Sequence, residues 1–397
     1  MTPEKRIYNT AVLGGGAAGL VAAISAQRKG KSVVICERMP VLGKKLLITG
    51  GGRCNLLNET LDESFYTATD KGLVREVFNR FGKKEILKFF EELGLQVHAE
   101  DHRIFPVTNQ ASSVTKVLEM ELQRSQIQVA LDYEVIKIET PEHGFSLLAG
   151  DGRRLDCRTL VVAAGGKSYP ALGSNGSGYA LTAPFGHHII DPVPSAVPVV
   201  VKDRLCQLLQ GLKVTARVES LIDGRVAEKA SGDVLFTKYG LSGTAVLDVS
   251  ESISKALNRG KNTKRPKAEI SIDFVPILSR ERLKEELERR SRRGFRQEDL
   301  LNGILPNRFA AISGETIKEG ATSLKDRRFR VIGTRGWNEA EFTSGGINAR
   351  EVNARTLESR FQKGLYFAGE ILDVQGKRGG YNLAWAWASG FVAGLTE

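Results

Sequence analysis

The stretch AVLGGGAAGLVAAISAQRKGKSVVICER, residues 11–38, decides the fold. An apolar segment that predicts a β-strand leads into a G-x-G-x-x-G turn, and an alanine-rich helix and a second strand follow the turn. In such a turn Gly14 permits the tight bend, Gly16 lets the backbone approach a pyrophosphate, and Gly19 lets the helix pack closely on the strand. This order of elements predicts a Rossmann-like α/β fold that binds a dinucleotide.

An acidic residue at the end of the second strand supports the same prediction. Glu37 follows Gly16 by 21 residues, where a carboxylate can accept hydrogen bonds from ribose hydroxyls. The predicted helix starts at Ala17 and Ala18, whose free N–H groups and positive helix dipole favour a phosphate. A secretion signal is the alternative for this stretch, but three consecutive glycines would weaken its helix, and a strand follows directly. The spacing does not distinguish NAD from FAD.

The composition indicates an ordinary soluble protein of two or three domains. The chain has 397 residues, a formal net charge of +11 and four cysteines, none of them in a C-x-x-C pair. Widely spaced cysteines indicate reduced thiols in a cytoplasmic protein, and no Cys/His cluster has the spacing of a metal site. No uninterrupted run of about 18 apolar residues predicts a membrane helix. The basic charge fits a polyanionic partner such as nucleic acid, an acidic substrate, or only a soluble surface.

Three later segments indicate which dinucleotide is bound. Residues 127–138 predict a strand, and residues 144–164 predict a hairpin-like meander that ends in a buried strand. Residues 364–394 predict a strand, an acidic turn and a helix that starts near Gly380. This order resembles the glutathione-reductase-like flavoproteins with two dinucleotide-binding domains. The resemblance implies an extended FAD, with the N-terminus of the last helix directed at the flavin, where its dipole would stabilise the reduced ring.

Four motifs make the resemblance more specific. They are GKKLLITGGGRCN (43–55), AAGGKSYPALGSNGSGYALTAPFGH (163–187), TSGGI (343–347) and GEILDVQGKRGGYN (369–382). Together they resemble the BaiN/RdsA family of flavoproteins, also known as aminoacetone-oxidase-like FAD-binding enzymes, over almost the whole chain. The resemblance implies an FAD-dependent oxidoreductase that reduces a carbon–carbon double bond conjugated with a carbonyl. One branch of the family acts on oxidised steroid acids, and another makes dihydrouridine in ribosomal RNA.

The electron donor is expected to be NAD(P)H. No second G-x-G-x-x-G lies between a predicted strand and helix, so we expect no dedicated nicotinamide domain. The family resemblance implies that NAD(P)H docks transiently at the flavin.

The resemblance also implies further cofactor-binding residues, in addition to the glycine turn and Glu37. Glu370 or Asp373 would bind the ribityl chain, and the backbone of residues 380–382 would lie near the pyrimidine edge of the flavin. The full predicted set is Gly14, Gly16, Ala17, Ala18, Gly19, Glu37, Arg38, Gly43, Lys45, Thr49, Gly50, Asn55, Val135, Ala164, Gly165, Gly166, Gly369, Glu370, Asp373, Gly380, Tyr381 and Asn382.

Three residues are candidates for the chemistry itself. Because the flavin carries the hydride, the protein must supply orientation and a proton. Cys54 is the first candidate for the proton donor, and a buried packing role is the alternative. Arg53 could anchor a phosphate or carbonyl, or it could only pair with an internal carboxylate. Tyr169 could donate a proton or stack on a ring, or it could only set the conformation of its loop. The amides of Asn55 and Asn382 could bond the flavin edge or cap turns.

The predicted FAD-binding domain is discontinuous. It comprises residues 1–190 and 345–397, and the intervening chain is predicted to form an inserted domain. Short apolar runs with period-two alternation predict an antiparallel β-barrel over 191–278 and 326–344. Helical patterning over 279–325, with Ser279 as a candidate N-cap, predicts a small helical subdomain.

The inserted domain carries most of the net charge. Residues 255–335 contain 21 Lys and Arg against 11 Asp and Glu, a net of +10. The densest runs are RGKNTKRPK, RRSRRGFR and KDRRFR. A solvated helix face is one explanation, and a surface for a polyanion such as ribosomal RNA is the other.

Two further functions stay open at this point. One is a small-molecule enone reductase or amine oxidase that uses the same flavin, and the other is a non-catalytic FAD-containing RNA-binding factor. The oligomeric state is not predicted.

Overall fold

The computed structural model describes residues 7–259, 265–312 and 316–395. The chain divides into two compact units. The first unit comprises Met1–Pro192 and Phe342–Glu397, and the inserted unit comprises Val193–Glu341. Each unit has its own apolar core.

The strands within the described residues are short, apart from two long strands in the inserted unit. In chain order they are β1 (Ile7–Leu13), β2 (Val33–Cys36), β3 (Leu57–Asn58), β4 (Tyr66–Ala68), β5 (Val97–Glu100), β6 (Arg103–Pro106), β7 (Gln128–Ala130), β8 (Val135–Glu139), β9 (Phe145–Ala149), β10 (Arg154–Val162), β11 (Ile189–Ser195), β12 (Val199–Val201), β13 (Lys213–Ile222), β14 (Arg225–Thr237), β15 (Gly240–Ser242), β16 (Ala268–Asp273), β17 (Arg327–Thr334), β18 (Phe342–Ile347), β19 (Leu365–Phe367) and β20 (Val374–Gly376).

The α-helices of the described residues lie between these strands or follow the last one, singly or in consecutive pairs. They are α1 (Ala17–Arg28), α2 (Lys71–Arg80), α3 (Lys83–Glu92), α4 (Ala111–Arg124), α5 (Ser177–Thr182), α6 (Arg204–Leu208), α7 (Thr244–Asp248), α8 (Ser250–Asn258), α9 (Arg280–Arg292), α10 (Ile317–Lys325) and α11 (Tyr381–Gly394).

The first unit is built on a seven-stranded sheet in the order β7-β2-β1-β10-β9-β8, with β19 also paired to β10. The strands β7, β2, β1, β10 and β19 are parallel, and β9 and β8 form an antiparallel extension. One edge of β10 serves two partners, because its first half pairs with β9 and its second half with β19. The central strands are near-continuous apolar runs, as expected where both faces of a parallel sheet are covered.

The first and last helices of the first unit pack backbone to backbone. A Cβ at Gly390 would overlap the carbonyl oxygen of Ala18, and one at Gly394 would overlap that of Ala22. Small residues on α1 and α11 therefore permit an approach that larger side chains would prevent. This contact fixes the start of α11 relative to the glycine turn at the start of α1.

The inserted unit contains a closed antiparallel barrel, in the order β12-β15-β14-β13-β16-β17. Buried and exposed residues alternate along β13, which gives the barrel its apolar interior. Asp223 and Gly224, both with positive φ, form the turn between β13 and β14 that the DG pair predicts. The Ser279 side chain accepts a hydrogen bond from the Arg282 amide at 3.2 Å and caps α9, as its position in the sequence predicts.

The structure differs from the predicted elements in two places. Residues 127–138 do not form one strand, because β7 pairs with β2 at one edge of the sheet and β8 pairs with β9 at the other. The predicted barrel segment also contains three helices, α6, α7 and α8, whose short apolar runs resemble strands in sequence. Within the basic run 259–267, residues 260–264 lie outside the described residues.

Two properties of the described residues complete the fold. No helix in the described ranges has both the length and the apolar character needed to span a membrane. The cysteines Cys36, Cys54, Cys157 and Cys206 are all free and buried.

Candidate cofactor site

The glycine turn between β1 and α1 has a different steric constraint at each glycine. Gly14 has φ of +108°, and a Cβ there would lie 2.9 Å from the carbonyl carbon of Ala163 on the neighbouring strand connection. A Cβ at Gly19 would overlap the carbonyl oxygen of Gly14. Gly16 has no heavy atom of the described chain within 4 Å of such a Cβ, and no side chain caps α1. The turn is therefore compact where the protein packs and open at the helix N-terminus.

The carboxylate of Glu37 lies directly over this turn. Its Oε2 accepts a hydrogen bond from the Gly15 amide at 2.6 Å, and its Oε1 accepts one from the Met39 amide at 2.7 Å. Glu37 is buried. The next residue, Arg38, has a buried Nη1 without a hydrogen-bond partner among the described residues, while its Nη2 lies 3.6 Å from Glu134. Glu37 is bonded to the turn itself, and Arg38 follows it in the chain, so this pair of charges fits the adenosine end of a dinucleotide.

The segment after β2 returns to the glycine turn. The Gly43 amide donates to the Gly15 carbonyl at 2.8 Å, and a 3₁₀ helix spans Leu46–Gly52. Gly50, Gly51 and Gly52 all have positive φ, as does Cys54. A run of left-handed residues explains why this loop is rich in glycine. The Thr49 carbonyl accepts from the Cys54 amide at 2.9 Å, which closes the loop.

A polar network joins the loop to the C-terminal segment. The Lys45 Nζ lies 2.8 Å from Glu370 Oε2 and 2.6 Å from the Ser168 hydroxyl. The Glu370 Oε1 accepts from the Ser168 hydroxyl at 3.1 Å and from the Thr343 amide at 2.6 Å. Segments from four parts of the sequence therefore meet at one carboxylate, where Glu370 is predicted to bind a ribityl chain.

Tyr179 on α5 adds an unsatisfied polar atom near this network. Its hydroxyl is buried and has no hydrogen-bond partner among the described residues. Burial raises the pKa of Tyr179 well above its usual value, and the carboxylates of Glu370 and Asp373 raise it further. A buried hydroxyl without a partner costs free energy, so a ligand with hydroxyl or phosphate oxygens would relieve it.

The start of α11 also has polar groups without side-chain partners among the described residues. The N-cap of this helix is Gly380, with φ of +100° and no side-chain hydrogen bond to the first turn. The Asn55 Oδ1 is buried beside it, 2.8 Å from where a Cβ of Gly380 would be, and has no partner among the described residues. In contrast, the Asn382 amide is fully engaged by the backbone, because it accepts from the Gly376 amide at 2.9 Å and donates to the Gly376 carbonyl at 2.7 Å.

Tyr381 packs inside the first unit. Its ring stacks on Phe65 with centroids 4.7 Å apart, and its carbonyl accepts from the Tyr66 hydroxyl at 2.8 Å. These contacts orient the first turn of α11. Only the backbone of Tyr381, and not its ring, is predicted to lie near a cofactor.

The three candidates for chemistry have different environments. Cys54 is fully buried, and burial raises the pKa of its thiol to about 12. The Arg53 guanidinium pairs with both oxygens of Glu100, at 2.9 and 2.6 Å, and lies 4.1 Å above the Phe105 ring. Its Nε also donates to Asn109 Oδ1 at 3.0 Å. Arg53 thus makes the internal carboxylate pair that was its alternative role.

Tyr169 has an unusual backbone conformation. It is half-buried, has φ of 54° and ψ of 63°, and precedes Pro170. A bulky residue before proline rarely adopts this left-handed conformation, and such strain concentrates at functional sites. The preceding residue, Ser168, belongs to the Glu370 network.

The remaining predicted cofactor residues are distributed along the same unit. Ala164, Gly165 and Gly166 follow β10 next to Gly14, and a Cβ at Gly166 would lie 3.2 Å from the Glu370 carboxyl carbon. Gly369 begins a 3₁₀ turn, and its amide donates to Ser389 at 2.9 Å. Val135 is buried at the start of β8 on the edge of the sheet. Ser168, Tyr179 and Thr343 were not predicted, although each lies in a quoted motif; only their three-dimensional contacts distinguish them from their neighbours.

Comparison with known proteins gives one family match. The model of the HI0933-like protein Rossmann domain family matches residues 8–396. A 3-dehydro-bile acid Δ(4,6)-reductase of Clostridium scindens is 36% identical and covers 96% of this chain and 97% of its own length. Ribosomal RNA dihydrouridine synthases of Haemophilus influenzae and Escherichia coli are 28% and 29% identical, each over 97% of this chain and over 97% and 96% of their own lengths.

Two solved structures share the fold over nearly their whole length. A 3-ketosteroid-Δ4-(5α)-dehydrogenase of Rhodococcus jostii RHA1, in complex with 4-androstene-3,17-dione, has a TM-score of 0.54 at 16% identity, with 100% of this chain and 98% of that chain covered. A 3-ketosteroid Δ1-dehydrogenase of Sterolibacterium denitrificans, in complex with 1,4-androstadiene-3,17-dione, has a TM-score of 0.52 at 12% identity, with 98% of both chains covered.

Proposed function

The chain belongs to the HI0933-like family of FAD-dependent oxidoreductases, and from this premise we propose that it reduces a carbon–carbon double bond conjugated with a carbonyl group, with NAD(P)H as the electron donor. The observation that carries the proposal is the relationship over nearly full length, at 36% identity, to a bile acid Δ(4,6)-reductase. Both this reduction and the synthesis of dihydrouridine add two hydrogens across a double bond next to a carbonyl.

The residues of the first unit fit FAD at both of its ends. The open helix start at Gly16 would receive the pyrophosphate, and Glu37 the adenosine ribose. Glu370, held by Lys45, would orient the ribityl chain. The start of α11 would face the pyrimidine edge of the flavin. When bound, the reduced flavin supplies the hydride, so the chain needs only to position the substrate and deliver a proton.

Tyr169 is the proton donor favoured by the geometry. The thiol of Cys54, with its pKa raised to about 12 by burial, is a weak acid at neutral pH. Arg53 is engaged with Glu100. Tyr169 is half-buried and has a strained left-handed backbone, and the residue before it, Ser168, hydrogen-bonds to Glu370.

Paired variants test this assignment. Tyr169→Phe is expected to lower the rate of substrate reduction by about 10²-fold or more, the usual effect of losing a general acid, while flavin reduction by NAD(P)H is unchanged. Cys54→Ala is expected to keep both rates near those of the natural protein. The reverse result, a loss in Cys54→Ala alone, would return the role to Cys54.

The substrate is proposed to be uridine in ribosomal RNA. Among the described residues of the inserted unit, several exposed arginines have no carboxylate within ion-pair distance, and Arg282, Arg292, Arg293 and Arg330 are among them. Some other cations there pair with carboxylates, for example Lys284 with Glu288 and Arg290 with Glu286. Unpaired arginines on α9, at its C-cap and on β17 are suited to phosphate contacts. A small steroid-like enone is the second candidate, favoured by the higher identity to the bile acid reductase.

One experiment separates the candidates. The purified yellow protein is reduced anaerobically with NADPH or NADH, and reoxidation is followed with ribosomal RNA fragments or with a 3-oxo-Δ4 steroid acid. Reoxidation by the RNA, with dihydrouridine as product, supports the first substrate, and reoxidation by the steroid alone supports the second. Reduced protein that no unsaturated acceptor reoxidises would contradict the enzymatic proposal and favour a non-catalytic RNA-binding factor.

Charge variants test whether the exposed arginines of the inserted unit bind RNA. The double variant Arg292→Ala, Arg293→Ala should weaken RNA binding and flatten its salt dependence, because phosphate contacts release counterions. Lys284→Ala removes a cation that Glu288 already neutralises and is the matched control. Equal effects of the two changes would remove the support that these arginines give to an RNA substrate.

A further inference from the structure

The start of α11 and the Asn55 side chain present complementary groups that do not satisfy each other. The first turn of α11 has no side-chain cap, so its leading N–H groups are donors. The Asn55 Oδ1 is an acceptor beside the N-cap residue, and the Asn55 residue is only 9% exposed. A nearby amide oxygen normally caps such a helix. Here, among the described residues, the Asn55 Oδ1 has no partner at all.

The position of Asn55 is rigidly determined by its surroundings. A Cβ at Gly50 would lie 2.8 Å from the Asn55 amide nitrogen, so the glycine loop packs directly on this residue. The next residue, Leu56, accepts a hydrogen bond from the Trp387 indole at 3.0 Å. Asn58 donates to the Gly379 carbonyl at 3.1 Å. The segment is therefore bonded next to the start and at the middle of α11, which fixes the backbone from which the buried Asn55 side chain extends.

A donor row next to an unpaired acceptor matches one kind of ligand edge. The ligand must offer an acceptor to the helix and a donor to Asn55, side by side in one plane. An imide, C(=O)–NH–C(=O), has this pattern. It occurs in the pyrimidine ring of a flavin, and also in uracil.

We infer that the Asn55 Oδ1 accepts the N3–H of the flavin pyrimidine ring, while the N–H groups at the start of α11 donate to the adjacent ring carbonyl. The flavin is the assigned source because the site belongs to the unit that carries the glycine turn, and FAD is the cofactor of the family. Asn55 is thus the residue that recognises the N3–H edge of the bound ring. The amide of Asn382 is engaged by Gly376, so Asn382 only shapes the turn. The inference rests on the proposed placement of FAD but not on the proposed substrate.

A cycle of two proteins and two cofactors tests the inference. The holoenzyme is stripped of flavin and reconstituted with FAD or with 3-methyl-FAD, which lacks the N3–H, and dissociation constants are measured from flavin fluorescence. The natural protein should bind FAD roughly tenfold more tightly than 3-methyl-FAD, as one buried hydrogen bond predicts. Asn55→Ala should bind the two cofactors equally. An equal preference for FAD in both proteins would overturn the assignment.

Two further variants guard against a merely structural effect. Asn382→Ala should lower stability yet keep the roughly tenfold preference for FAD. Asn55→Asp keeps an acceptor and therefore the preference, but its carboxylate opposes the negative charge of reduced flavin, so the midpoint potential of the bound flavin should fall. An unchanged potential in Asn55→Asp would contradict contact with the ring.

The same proteins distinguish the flavin from uracil of the substrate as the imide that binds Asn55. If Asn55 instead binds uracil of the substrate, Asn55→Ala would leave the preference between the two flavins intact and would slow reoxidation only by uridine-containing acceptors. That result would overturn the flavin assignment. Failure of every acceptor, with the flavin preference lost in Asn55→Ala, would support the inference while contradicting the proposed function.

Discussion

The starts of the first and the last helix of the first unit are both suited to a ligand, but they are built differently. The α1 site is assembled within one short segment, in which the Gly16 opening and the Glu37 carboxylate are joined through the Gly15 amide. The α11 site combines Gly380 with Asn55, which comes from a distant part of the sequence. A contiguous site can be identified from residue spacing, whereas a discontinuous site depends on packing that brings the segments together.

The largest expected effect is on the unfolding free energy, and it comes from a substitution in the glycine turn at the start of α1. Gly19→Ala places a Cβ on the Gly14 carbonyl oxygen, and it should cost about 3–5 kcal/mol of unfolding free energy or prevent folding. Gly16→Ala is the matched variant, because its Cβ has open space and ordinary φ. Gly16→Ala should leave urea unfolding of the apoprotein nearly unchanged but weaken FAD binding by roughly tenfold or more. Equal destabilisation by both would contradict the distinction between packing and ligand glycines.

The second effect tests the contact that links the two sites. Gly390→Ala forces α11 away from the Ala18 carbonyl, and it should cost about 2–3 kcal/mol in urea unfolding and weaken flavin binding as well. Gly150→Ala is the control, since the nearest heavy atom to its Cβ is Ile136 Cγ2 at 3.5 Å. If Gly390→Ala matched this control, the close crossing of α1 and α11 would not contribute to stability.

The third effect is a pH dependence of the loop beside α11. Burial raises the pKa of Cys54 to about 12, so the folded thiol stays protonated while the unfolded thiol ionises above about pH 8.5. The unfolded state then binds fewer protons, and this contribution to stability is lost as pH rises from about 8.5 towards 12. Cys54→Ala should reduce the fall in unfolding free energy by about 1.4 kcal/mol per pH unit across that range.

Urea titrations at several alkaline pH values measure this slope. Cys157, whose pKa is also raised to about 12 by burial but which lies on β10, is the comparison. An unchanged slope in Cys54→Ala, together with rapid reaction of the native thiol with a disulfide reagent near pH 8, would show that Cys54 is accessible and acidic. That result would revive its predicted role as a proton donor.

The smallest effect concerns Arg53, at the outer edge of the same loop. Arg53→Lys removes the two-point pairing with Glu100 and the stacking on Phe105. Because these groups are partly exposed, global stability should hardly change, while amide hydrogen exchange at Gly50–Gly52 becomes faster. A large loss of turnover without faster exchange would instead indicate that Arg53 contacts substrate.

Sequence-based prediction succeeds for contiguous segments and fails where distant segments must pack together. The strand, glycine turn, helix and strand from Ile7 to Cys36 occur as predicted, because neighbouring residues determine them. Residues 127–138 were wrongly predicted as one strand, because two short strands on opposite sheet edges have the same apolar pattern as one long strand. The helices α7 and α8 were missed for a related reason: short apolar runs do not distinguish a buried helix from a strand.

The candidate site shows where local pattern stops being informative. Asn55 and Asn382 are alike in sequence, yet one amide is satisfied by the backbone and the other retains an unpaired oxygen. Tyr179 and Ser168 had no distinguishing spacing, and only their positions around Glu370 indicate a role. Hydrogen-bond satisfaction depends on contacts between distant segments, so it is a property of the folded chain.

The sequence by itself determined the dinucleotide-binding class and the family, and it predicted a discontinuous arrangement with a basic insert, because these follow from short-range spacing, composition and motifs. Only the tertiary structure decided which of the candidate side chains are already bonded within the protein and which remain for a ligand. The physical reason is that spacing along the chain controls backbone conformation, whereas burial and hydrogen-bond pairing arise when segments such as residues 43–58, 163–182 and 369–382 pack together.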